Sequence, residues 1–150
     1  MNKLMSDAYL SALNSPCLHR HGAIGTINGK IIGRGFNHYY VPNNRLFECK
    51  NGNSCHAEID LLCRICKQYK ITKIEDLNRK KVFKKLKIYV IRVTNGNNIM
   101  NSAPCFHCTK VLKKFNVKEV IYSNNDGSFD SCKIKDYKTN KITNGNMNYY

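Results

Sequence analysis

The sequence predicts an α/β sandwich built around one mixed β-sheet, and three observations predict it. Helical and strand periodicities alternate along the chain. An Asn28-Gly29 pair joins two apolar strand-like runs, and two segments rich in cysteine and histidine fall where helices begin. A chain of 150 residues with 42% hydrophobic content can bury one core and has the size of one domain. No internal repeat, Pro/Ser-rich linker or change of composition divides it. Residues 1–150 are therefore read as one domain, with a core of about 21–134 and a flexible, Asn-rich tail over 138–150.

Leu4, Ala8, Leu10 and Leu13 recur at near-helical spacing, which predicts an amphipathic helix over Met1 to Asn14. Gly22 to Phe36 reads as a hairpin, because Asn-Gly between apolar runs supplies the two positive φ angles of a tight turn. Asn37 to Ser54 is a long polar loop, and loops of that length in compact domains tend to carry function. His56 to Tyr69 follows as a helix with Ile59, Leu62, Cys63, Ile65 and Cys66 on its buried side. The stretch from Lys67 to Lys87 is basic and reads partly as loop. Lys87 to Thr94 is a β-branched and aromatic strand closed by Asn95-Gly96. A helix opening at Pro104 or Cys105 runs to Phe115, since proline suits a first helical position. Val117 to Ser123 is a strand, and the Asn124 to Gly127 turn folds Phe129 to Ile134 back against it.

The chemistry lies in Cys55-His56-Ala57-Glu58 and Pro104-Cys105-Phe106-His107-Cys108, each opening a helix. At a helix N-terminus the unpaired N–H groups and the dipole favour thiolates, so Cys105 and Cys108 are primed as metal ligands on one face of a first turn. His56 makes a third. Three ligands leave a tetrahedral zinc one open position, which marks a catalytic site, and such an ion lowers the pKa of a water to about 7. Glu58 is not needed as a ligand and is placed to carry protons as a general base and acid. The plainer alternative is a closed structural zinc with Glu58 merely capping its helix.

Other cysteines compete for metal. Cys63, Cys66, Cys105 and Cys108 can be drawn as a four-cysteine zinc, but their separation exceeds zinc-ribbon spacing and the first pair sits among leucines as small core residues. Cys17 and Cys132 read the same way. Cys49, inside the long loop, and Cys55, just after it, leave open a second, structural zinc.

The net charge of +15 allows contact with phosphates, free or polymeric. It is carried mainly by lysine in a chain also rich in asparagine and isoleucine, as A/T-rich coding alone would produce. Nine lysines and arginines over 67–87 oppose only Glu75 and Asp76. That run is either a solvated face or the place for a polynucleotide backbone. The apolar runs are too short to span a bilayer and no export signal opens the chain, so a soluble cytoplasmic protein with no membrane partner is expected.

The order of these motifs, the H-x-E…P-C-x-x-C pattern, resembles the cytidine and deoxycytidylate deaminase superfamily. With Gly33-Arg34-Gly35-Phe36-Asn37 ahead of them, the resemblance covers about His21 to Ile134. It implies a three-layer α/β/α sandwich on a mixed five-stranded sheet, with zinc held by His56, Cys105 and Cys108 between two helices. It also implies substrate contacts at Asn37 and Ala57, and a homo-oligomer. Tyr39, Tyr40 and Phe47 in the long loop offer rings to stack on a base, although loop aromatics commonly pack locally. His56 is similar to deoxycytidylate and polynucleotide deaminases. Ile59 resembles tRNA adenosine deaminases, and the Asn125-Asp126-Gly127 turn resembles the free-nucleoside branch. The expected activity is hydrolytic deamination of a CMP- or dCMP-type cytosine to uracil with release of ammonia. The alternatives are deamination of cytosine or adenine in single-stranded DNA or tRNA, and an inactive zinc domain that binds nucleic acid or a partner deaminase.

Overall fold

The computed structural model describes residues 1–39 and 54–141. Tyr40, Phe47 and Cys49, and the last nine residues of the expected tail, lie outside the described residues. The chain runs α1 (Lys3–Ala12), β1 (Arg20–Ile27), β2 (Lys30–Phe36), α2 (Ala57–Gln68), α3 (Ile74–Arg79), β3 (Lys87–Val93), β4 (Ile99–Met100), α4 (Phe106–Lys114), β5 (Glu119–Ser123) and β6 (Phe129–Lys133). Single 3₁₀ turns follow α3 (Lys81–Lys85) and β6 (Ile134–Asp136). Among the described residues no helix is long and apolar enough to cross a membrane.

The strand order is β2-β1-β3-β5-β6, with β4 beside the end of β3. β1 pairs antiparallel with β3 from Arg20 to Thr26 and occupies one edge of it. The other edge is shared: β5 runs parallel to Lys87–Val90, and β4 pairs antiparallel with Arg92 and Val93. Among the described residues the sheet thus has six strands, not five. β4 escaped the sequence reading because two residues are too few to show alternation. The parallel β3–β5 pair follows from the crossover through α4, whereas the β1–β2 and β5–β6 pairs need only tight turns. Asn28 and Gly29 have φ of 52° and 80°, the two left-handed positions that the Asn-Gly signal foretold.

Successive strand residues point to opposite faces, so each strand feeds two cores. Ile24, Ile91 and Val93 meet Met5, Ala8 and Ala12 of α1 on one face. Ala23, Ile88, Val90 and Val120 meet Leu61, Leu62 and Ile65 of α2 and Leu112 of α4 on the other. This is the three-layer α/β/α arrangement. α3, inside the lysine-rich stretch read as partly loop, adds Leu77 to the second core. The α1 helix is shorter than its periodicity suggested and starts where the Asn2 side chain accepts from Met5 N at 2.9 Å.

α2 lies unusually close to the sheet. A Cβ on Gly35 would stand 2.6 Å from Leu61 N and 2.9 Å from Ala57 O, both backbone atoms that cannot swing aside. That contact sets where the N-terminus of α2 points. Gly35→Ala should therefore destabilise the fold by about 1–3 kcal/mol in urea denaturation. Gly96→Ala, whose nearest neighbour would be Asn98 Nδ2 at 3.5 Å, should stay within about 0.5 kcal/mol of the parent.

Candidate metal centre

Two helices begin at one point. His56 is the N-cap of α2 and Cys105 the N-cap of α4, and neither uses its side chain to cap its own helix. Both turn toward the other helix instead. His56 Nδ1 stands 3.2 Å from Cys108 Sγ and 3.6 Å from Cys105 Sγ. Ligands of a tetrahedral zinc, bound at the usual Zn–N and Zn–S lengths, lie about 3.6 Å apart, so the imidazole stands near ligand spacing from both sulfurs, and all three donors lie within 4.8 Å of one another. Cys105 and Cys108 are buried and His56 is half-buried. Pro104 precedes the cap and is not the first helical residue. Its carbonyl accepts from the buried Tyr137 hydroxyl at 2.9 Å.

The loop that delivers Cys105 is tied down by two serines. Ser102 Oγ donates to Val90 O at 2.8 Å and accepts from Ser123 N at 2.8 Å, while Ser123 Oγ donates to Met100 O at 2.7 Å. The ends of β3, β4 and β5 thereby fix the segment ahead of α4. On the α4 side, Thr109 Oγ1 donates to Cys105 O at 2.7 Å.

The electrostatics suit a cation. The Cys105 thiol is pushed down to about 4 by the hydrogen bond shared with Cys108, assisted by His56, against the opposing effect of burial. Cys108 moves the other way, because one proton shared between two sulfurs stays on it. Burial lowers His56, but the hydrogen bond and charge of Cys105 and the charge of Glu58 outweigh it, and the net shift is upward. Glu58 is 5% exposed, and burial raises its carboxyl above the ordinary range. Its Oε2 is 3.8 Å from Cys108 Sγ and accepts the thiol proton.

The other candidates divide. Ala57 is fully buried as the first residue of α2. Asn37 braces the backbone: its Oδ1 accepts from His21 N and its Nδ2 donates to His19 O, both at 2.8 Å. One donor hydrogen and one acceptor lone pair are left. Tyr39 is 59% exposed and lines a groove to which none of the three metal-cluster residues contributes. Cys66 is buried in the α2 core, which pushes its thiol up to about 12, and Cys63 packs against the same core. Neither joins a metal-capable group among the described residues, so the four-cysteine alternative fails. The ring of His107 faces Phe106 at 5.7 Å and stands outside the cluster. His21 is pushed down to about 3, first by burial and then by His56.

Lys141 is a site residue that sequence reasoning missed, since no pattern or motif surrounds it. Its carbonyl accepts from Phe106 N at 2.8 Å, at the start of α4, and its ammonium donates to Asn101 Oδ1 and Ala103 O at 3.3 and 3.4 Å. From there its charge is felt at both His56 and Glu58. Lys141, the last described residue of the expected tail, thus lies against the metal loop. The basic run over 67–87 begins where α2 ends. α2 has 12 residues, so that run begins about 18 Å along the helix axis from the metal cluster.

The cytidine and deoxycytidylate deaminase zinc-binding region, as a family model, matches residues 1–124. Among solved structures, the cytidine deaminase from Burkholderia pseudomallei is similar with a TM-score of 0.54 at 18% identity, over 91% of this chain and 95% of that one. The apo dCMP deaminase from the cyanophage S-TIM5 gives 0.51 at 24% identity, over 83% of this chain and 86% of that one. At these identities the likeness is one of fold. No curated protein sequence matches the chain.

If the cluster holds zinc as its spacing implies, Cys105→Ala should weaken zinc binding there by more than about 100-fold, beyond the usual cost of losing only a supporting partner. Competition with a fluorescent chelator measures this, and Cys63→Ala should bind like the parent.

Proposed function

Because this chain belongs to the cytidine and deoxycytidylate deaminase zinc-binding family, we propose that it hydrolyses the exocyclic amine of cytosine in a small nucleotide or nucleoside, with CMP or dCMP preferred. The observation that carries this reading is Glu58, a desolvated carboxyl beside a metal-ligand set that leaves a fourth position open. A structural zinc site has no use for a buried acid in that place.

Zinc held by His56, Cys105 and Cys108 supplies Lewis acidity, enough to bring the pKa of a water to about 7. The remaining work belongs to the chain. Glu58 takes a proton from the attacking water and passes it to the ring nitrogen next to the attacked carbon. A second transfer through the same carboxyl protonates the departing amine, so water and an amine become a carbonyl and ammonia. Burial suits this role, because a raised carboxyl pKa brings acceptance and release of a proton closer to balance at neutral pH. The Ala57 N–H, among the four at a helix start without an intrahelical acceptor, and the spare donor and acceptor of Asn37 are the proposed substrate contacts.

A small substrate is favoured over a polynucleotide because the lysine-rich run sits at the far end of α2 from the metal cluster. The inactive-domain alternative leaves Glu58 without a purpose. Ammonia release should therefore be fastest with CMP or dCMP in a panel with cytosine, cytidine, adenosine, single-stranded DNA and tRNA. Turnover confined to the two polymers overturns the substrate assignment. Glu58→Gln should keep its zinc and lose about 10²–10⁴ in kcat, the usual share of general acid–base catalysis. Parental kcat in the Glu58→Gln variant removes the proton carrier from the scheme.

A further inference from the structure

We propose that His38, Cys55 and Asp60 form a second metal site, which takes a divalent transition-metal ion and serves the fold rather than the reaction. One ligand atom from each of the three lies within 4.8 Å of the others, and the set shares no residue with the His56 cluster. His38 Nε2 is 3.0 Å from Asp60 Oδ1. Nitrogen, oxygen and sulfur ligands of a tetrahedral zinc stand about 3.3–3.6 Å apart, so gathering the three donors asks for shifts on the order of 1 Å. A neutral imidazole, a thiolate and a carboxylate together carry the two negative charges that balance a divalent ion. The mixture of borderline and soft donors selects zinc over magnesium or calcium.

Each donor is held in place by something other than the metal. His38 and Cys55 pair across an antiparallel bridge, with N–H···O distances of 3.1 and 2.8 Å in the two directions. Asp60 lies in the first turn of α2. Its Oδ2 accepts from Phe36 N and from Arg64 Nε, both at 3.0 Å, so Oδ1 is turned toward His38. Hydrogen bonds to the far oxygen are how proteins orient a ligating carboxylate. Arg64 is itself fixed 5.3 Å over the Phe36 ring. Its ion pair with Asp60 is half exposed and counts for little in stability, so the geometry matters more than the charge.

The site is buried yet accessible. Cys55 is 1% exposed and Asp60 is 7% exposed, while His38 is half-buried. An open groove of about 810 Å³ passes His38 and Asp60 and gives an ion its way in. The position explains a structural use. His38 and Cys55 stand at the two ends of the long polar loop, and an ion between them and α2 closes that loop and offsets its closure entropy. Cys55 also precedes His56, so the same ion fixes how the chain enters α2 and hence where the imidazole of His56 points.

Metal analysis of the purified full chain, expressed with zinc and dialysed without chelator, tests this. About two zinc ions per chain are expected for the parent, about one for His38→Ala, Cys55→Ser or Cys105→Ala, and almost none for Cys55→Ser combined with Cys105→Ala. Far-UV circular dichroism confirms that each variant folds. If His38→Ala does not fold, Asp60→Asn, which keeps an acceptor for Phe36 N, gives the same count. One zinc in the parent, retained by Cys55→Ser and lost by Cys105→Ala, refutes the second site and leaves the proposed active site standing. One zinc lost by Cys55→Ser and retained by Cys105→Ala supports this site and overturns the catalytic one.

Discussion

The structure depends on the meeting of two helix N-termini. Each start of α2 and α4 carries about half a positive charge from its aligned peptide dipoles and unpaired N–H groups. Brought together without compensation, they would repel. The residues at the junction resolve this: Cys105 is held as a thiolate far below an ordinary cysteine, Cys108 and Glu58 share a proton beside it, and His56 lies between. The negative charge that makes the junction tolerable is also what a zinc ion needs. Junction and ligand set are one solution to two problems.

Holding that junction takes most of the fold. On one side, α2 is pressed onto the sheet where Gly35 gives its backbone room, and Leu61, Leu62 and Ile65 bury themselves behind it. On the other, the parallel pairing of β3 and β5 leaves their ends side by side, and Ser102 and Ser123 stitch those ends to the loop carrying Cys105. Tyr137 and Lys141 close the arrangement from behind through Pro104 O and Phe106 N. A donor set needs tolerances of a few tenths of an ångström, and here it is built on helix starts and strand ends instead of a loop interior.

What could be read in the sequence follows from the same physics. The metal cluster was legible because its chemistry resides in residue types and short spacings, and the hairpin because Asn28-Gly29 names its own backbone angles. β4 was not, since a two-residue strand has no period, and α3 was masked by lysines that contribute charge but no pattern. Asp60 reads in sequence as one more polar residue in an amphipathic helix. Only the fold brings His38 to it from another element. Lys141 is the same case: long-range contact made by a segment without periodicity. Tyr39, a ring in the expected loop, lines a groove beside His38 and Asp60, a placement that only the fold shows.

The net charge of +15 calls for a spatial reading before a functional one. A field acts at a site only if it reaches there. At physiological ionic strength exposed charges are screened over about 8 Å, and the lysine-rich run begins about 18 Å along α2 from the metal cluster. Among the described residues, the charges felt at His56 and Glu58 are instead those of the cluster itself and the ammonium of Lys141, beside the two helix starts. The bulk charge of this chain can govern its solubility and its loose encounters with polyanions while saying nothing about which base enters the site.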